Sequence, residues 1–202
     1  YAQALLMLEK AQMIGKQSAD EELLEHIDLE KARIFLESGN ITDALFLIKD
    51  RKVEDQEILA LLGEASVIAG NLDDARLFVE QAISAAEAAP EHFLVLGRLY
   101  SNLGRIYAMN GQGDEAQTML SAAITWLEQT PDLYGLGRAK SVLAAALIKD
   151  RHDYHEVHRL LRDAQEIQVE IADRTGLVYT RRNLEELKRR YAVDGKEVWT
   201  TM

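Results

Sequence analysis

The 24 residues YSNLGRIYAMNGQGDEAQTMLSAA, positions 100–123, read as a helix, a break and a second helix. Tyr100, Leu103, Gly104 and Tyr107 fall at i, i+3, i+4 and i+7, the spacing that gathers side chains on one helix face. Gly111-Gln112-Gly113 interrupts that pattern with a residue suited to positive φ, where a helix stops and the chain reverses. Ala116, Leu120 and Ala123 then resume it. Ala116 is small, as a position must be where two helices cross closely. The stretch predicts an antiparallel helical hairpin.

Copies of the pattern lie on both sides. Ala4, Leu8 and Ala11 begin the series, Gly39-Asn40 leads to Ala44 and Ile48, and Gly70-Asn71 leads to Ala75, Val79 and Ala82. A degenerate copy places Tyr154 and Val157 after a turn, with Leu161 and Ala164 behind. The key position recurs at Ala4, Ala44, Ala75, Ala116 and Val157, spacings of 40, 31, 41 and 41 residues. Such a period is the mark of stacked helix pairs, each contacting only its neighbours.

Tyr100, Leu103-Gly104, Tyr107, Gly111, Ala116, Leu120 and Ala123 resemble the signature positions of a tetratricopeptide repeat (TPR). The spacing near 41 resembles the long-period variety found in kinesin light chains and in the sensor solenoids of STAND-type and LuxR-type regulators. Gly135-Leu136 and Gly176-Leu177, each opening a helix after an Asp-containing turn, strengthen the likeness. Some copies depart from it: Ser66 stands where an aromatic is usual, Lys31-Ala32 replaces Leu-Gly, and Pro90 and Pro131 fall a few residues late. The resemblance implies an all-α fold, a right-handed superhelical α-solenoid of antiparallel helix pairs. One solenoid is expected over 1–202: a lone second helix at 1–18, repeats at 19–52, 53–90, 91–131 and 132–172, and a terminal capping helix and tail at 173–202.

Composition agrees with helix throughout. The chain has 202 residues, 48% hydrophobic, with 2 Pro and 12 Gly, few enough breakers for long helices. There is no Cys, which excludes disulfides, thiolate metal ligation and a cysteine nucleophile. The apolar run Val142 to Ile148 is far too short to span a bilayer, and no signal-peptide pattern opens the chain, so a cytoplasmic location is expected. The chain opens at Tyr1 inside an amphipathic pattern, from which we expect a piece of a longer polypeptide. A net charge of -11 disfavours nucleic acid and anionic membrane as direct partners. Residues 1–100 carry 9 Lys+Arg against 19 Asp+Glu and residues 101–202 carry 14 against 15, so the acidity belongs to the first half.

Catalytic patterns are weak. His152, Asp153, His155, Glu156 and His158 could suggest a metal-dependent hydrolase, but a zinc helix wants two His at i, i+4 with a Glu between, and the group falls on a repeat turn. Glu21-Glu22, Asp73-Asp74 and Glu185-Glu186 are carboxylate pairs at helix starts or on solvated faces. No phosphate loop follows a strand and no nucleophile turn is recognisable. We therefore expect no enzyme, no cofactor and no metal site.

In TPR arrays the first helix of each pair lines the groove that holds ligands. The resemblance carries this to Arg98, Ser101, Asn102 and Arg105 in one repeat, Arg138 and Ser141 in the next, and Arg182, Asn183 and Arg189 in the terminal helix. Earlier repeats put His26, Glu30 and Arg33, then Glu57, Ala60 and Glu64, on the same line, so the groove is expected to run from acidic to basic. Asn102 and Asn183 stand where long-period relatives grip a ligand's backbone, which suits an amide that both donates and accepts. The arginines suit a carboxylate or phosphate. The expected function is a protein- or peptide-binding scaffold or sensor module of a larger regulatory protein, with an acidic segment as partner beside flanking domains of the same polypeptide. A small-molecule-sensing solenoid controlling a neighbouring domain is the alternative.

Overall fold

The computed structural model describes residues 1–50, 55–88, 93–149 and 153–193. Among them lie ten α-helices: α1 (Ala2–Ser18), α2 (Glu21–Glu37), α3 (Ile41–Ile48), α4 (Gln56–Ala69), α5 (Leu72–Glu87), α6 (Phe93–Met109), α7 (Gly113–Leu127), α8 (Leu133–Lys149), α9 (Tyr154–Glu170) and α10 (Arg174–Val193). The described residues form no strand. The architecture is all-α. His152, Pro90, Trp199 and the tail from 194 fall outside the described residues.

The chain forms two compact units, Tyr1–Ala89 and Pro90–Met202. In the first, α2 pairs with α3 and α4 with α5, α1 packs on α2, and α2 also meets α4. Ala32, Leu36, Ala44, Ile48, Ile58, Leu61 and Ala65 make a core. Between α4 and α5 the contact is close, because a Cβ on Gly63 would stand 2.6 Å from Val79 Cγ2. Ala44, the expected crossing residue, is buried, whereas Ala4 of α1 is exposed.

In the second unit α6 pairs with α7 and α8 with α9, and α10 packs on both α9 and α8. Ala116, Leu120, Ala123, Val157, Leu161 and Ala164 are all fully buried, so the degenerate copy works as the strong one does. A Cβ on Gly104 would meet Leu120 Cγ at 2.6 Å, and one on Gly97 would meet Leu127 Cγ at 2.7 Å. Two glycines on one face of α6 thus set its distance from α7.

The turns come in two chemical kinds. Within pairs, Gly111 has φ +77°. Its N–H donates to Ala108 O (3.3 Å) while Gln112 N–H donates to Tyr107 O (2.9 Å), the double bond that satisfies orphan carbonyls at a helix end. Between α9 and α10 the same geometry is made by Ala172, φ 56°, with Asp173 N–H on Gln168 O at 2.8 Å. The following Asp then caps the next helix: Asp132 Oδ1 accepts from Gly135 N–H (2.9 Å) and Asp173 Oδ1 from Gly176 N–H (3.0 Å).

Candidate functional site

Within the second unit, α6 contacts α8 and α8 contacts α10, whereas α7 and α9, on either side of α8 in sequence, do not touch among the described residues. Helices closer together in one layer than in the other make that layer the concave one. The face formed by α6, α8 and α10 is the one that carries the expected groove residues.

All nine expected groove residues fall on these three helices, but they are not alike. Arg98 is exposed, and its Nε donates to Asp132 Oδ2, a carboxylate only 13% exposed. The carboxylate that caps α8 thus also orients a guanidinium from α6, and the charge-assisted contact is of the stronger kind. Asn102 and Arg105 are half-buried, as is Arg138, while Ser101 is 8% exposed. Arg182 is exposed and Asn183 half-buried, with the Asn183 Nδ2 shielded from solvent and without a hydrogen-bond partner among the described residues. Arg189 is exposed and turned onto its own helix, donating through Nε and Nη2 to Glu186 (2.9 Å each).

Ser141 is a correction. It is 2% exposed and its hydroxyl sits inside the joint of three helices. Gln168 Nε2 donates to Ser141 Oγ (3.1 Å) and Thr180 Oγ1 donates to Gln168 Oε1 (2.8 Å), which leaves Ser141 to donate to Thr180 Oγ1 (2.7 Å). The hydroxyl is committed inside the protein and is not offered to a partner.

The basic cluster of α10 also divides. Arg181, Arg182, Lys188 and Arg189 are exposed, whereas Arg190 is half-buried and donates to Ile148 O (3.2 Å), closing the last turn of α8. Glu186 accepts from Arg190 and Arg189, and these bonds hold its carboxyl below the usual glutamate range. Near the start of α9, Tyr154 stacks on His158 (centroids 5.6 Å) and meets His155 and Tyr191 edge-on (5.5 and 5.4 Å). Partial burial lowers the His158 pKa, with Arg162, Lys188 and His155 adding to the effect. Among the described residues no group of three His, Asp or Glu could hold a metal ion, and none of the described helices is long and apolar enough to cross a membrane.

Sequence reasoning missed Asp132, Gln168 and Thr180. Asp132 was legible, since Asp-x-x-Gly occurs at 132–135 and again at 173–176. Gln168 and Thr180 stand 41 residues after Leu127 and Ala139, polar residues in apolar places of the repeat.

No protein-family model matches the chain, and no curated protein does. Solved structures do resemble it. The MamA protein superposes with a TM-score of 0.50 at 16% identity, covering 86% of this chain and 97% of that one. The nearly identical TPR-like repeats of a Podosopora anserina kinesin light chain give 0.53 at 21% identity, covering 84% of this chain and 86% of that one. The Q17M form of the same repeats gives the same values.

Proposed function

From a fold of TPR-like helical repeats, we propose that this chain is a protein-interaction scaffold whose α6/α8/α10 face binds an extended acidic segment of a partner protein. One observation supports the reading: Arg98, Asn102, Arg105, Arg138, Arg182 and Asn183 lie on the three neighbouring helices α6, α8 and α10 with none of them fully buried, and Asp132 orients Arg98. Preorganised cations lower the ordering cost of capturing a carboxylate, and amides hold a peptide backbone whatever its sequence. We read the segments 19–52, 53–90, 91–131 and 132–172 as repeats, with 1–18 as a second helix and 173–202 as cap and tail. In this reading the chain works by binding rather than catalysis, as part of a larger cytoplasmic regulator.

The test is selection of peptides from a displayed random library on the immobilised chain. Selected sequences should be enriched in Asp and Glu, and Arg98→Glu/Arg105→Glu/Arg138→Glu should reduce binding of a selected peptide at least tenfold, with affinity falling as salt rises. Peptides without acidic enrichment, or binding unchanged by the reversal, would remove the assignment.

A further inference from the structure

We propose that His158, Arg162 and Lys188 form a binding site for a phosphoryl dianion on the edge of the α9/α10 pair; none of the three belongs to the expected groove. The two helices are joined by the short turn Ile171-Ala172-Asp173 and run antiparallel, so that Tyr154 at the start of α9 meets Tyr191 near the end of α10 edge-on. The register of the other side chains follows from that contact. One turn further along α9 stands His158, stacked on Tyr154 with 5.6 Å between centroids, and the next turn brings Arg162 to the same face. One turn back along α10 stands Lys188, which the antiparallel pairing brings towards His158. Arg162 and Lys188 are exposed and His158 is half-buried. Two long cationic side chains thus flank an imidazole that is held by ring packing.

The charge around this edge is of the sign a dianion needs. The whole chain carries -11, yet the residues three and four positions from His158 are Tyr154, His155, Leu161 and Arg162, without a carboxylate. α8, which packs on both α9 and α10, contains neither Asp nor Glu. Asp153 is occupied in capping α9, accepting from Glu156 N–H at 3.0 Å, and Glu186 accepts from Arg189 and Arg190. Glu166, one turn beyond Arg162, and Glu185, one turn before Lys188, are exposed and bound the basic stretch at either end. The electrostatics agree with the geometry: after partial burial, Arg162, Lys188 and His155 lower the His158 pKa, and all three are basic groups. An imidazole depressed by cationic neighbours is raised again when an anion joins them. A phosphoryl group suits the site better than a carboxylate, because its three oxygens can serve a guanidinium, an ammonium and an imidazolium at once. By linkage, binding of the dianion and protonation of His158 favour one another.

The test reads His158 directly. Imidazole proton resonances of the full chain are followed from about pH 8 to 5 in sodium chloride and in sodium phosphate at equal ionic strength, with His158→Gln assigning the resonance. Phosphate should raise the His158 midpoint, whereas His26, on α2 of the other unit, should follow one curve in both salts. Arg162→Gln and Lys188→Gln, at exposed positions, should each raise the His158 midpoint in chloride, since a cation is lost, and each remove most of its response to phosphate. Methyl phosphate separates two sources of the group. A response equal to that of inorganic phosphate marks a site for a monoester, such as a phosphorylated side chain, and a response to inorganic phosphate alone marks a site for the free ion. Identical His158 curves in chloride and phosphate, an equal displacement at His26, or a phosphate response undiminished in both variants would overturn the proposal.

Discussion

Substituting Gly104 by Ala sets two opposing terms against each other. Alanine in a helix interior is favoured over glycine by roughly 1 kcal/mol, so an exposed site would be stabilised. At Gly104 the new methyl would stand 2.6 Å from Leu120 Cγ, 3.1 Å from Leu120 N and 3.2 Å from Ala116 O. The Leu120 side chain could rotate away, but the two backbone atoms belong to α7 and move only if the helix does. Overpacking of this kind costs about 1–3 kcal/mol. The close approach of α6 and α7 buries Ala116, Leu120 and Ala123 fully, so separating the helices loosens every contact along the seam. We expect net destabilisation of up to about 2 kcal/mol, a fall in melting temperature of as much as several degrees for a unit of this size. Thermal and urea melts followed by circular dichroism measure it. A rise of about 1 kcal/mol, the value helix propensity alone would give, would refute the claim that glycine sets this interhelical distance.

Two further outcomes follow from the local chemistry. Ala172 has φ 56°, a left-handed conformation that costs an L-residue roughly 1–2 kcal/mol. Ala172→Gly should therefore stabilise by up to about 1 kcal/mol, and an unchanged or lower urea midpoint would count against the turn geometry. The His158 imidazole is held below its ordinary pKa by partial burial, then by Arg162, Lys188 and His155. Its neutral form is the one the fold prefers, so the contribution is complete above the unfolded value of about 6.5 and is lost as pH falls through the folded value. Melting temperature measured from pH 7 to 5 should fall less in His158→Gln than in the wild type, and parallel curves would remove His158 as a source of acid sensitivity.

The helix pairs were legible because their signals are local. Gly104 against Leu120 and Gly111 in its turn each follow from spacing on one or two neighbouring helices. Val157, a β-branched residue at a crossing usually given to Ala, also kept its place, since the 41-residue period outweighs a single departure. The site was legible only in part. Register put Arg98, Arg138 and Arg182 on α6, α8 and α10, but register does not say how deeply a side chain sits. Ser141 looked like a groove residue because serine is small and polar, and its burial depends on Gln168 and Thr180, which come from two other helices. Asp132 shows the reverse case, a capping residue whose second carboxylate oxygen reaches a different repeat and so gains a role that its own turn does not reveal.

Which face of the second unit meets a ligand is tested most directly by amide chemical-shift mapping. An isotope-labelled chain is titrated with an acidic peptide selected from the displayed library. The largest changes should fall on Asn102, Arg105, Arg138, Arg182 and Asn183 along α6, α8 and α10. Changes confined to α7 and α9, or to residues 1–88, would contradict this assignment.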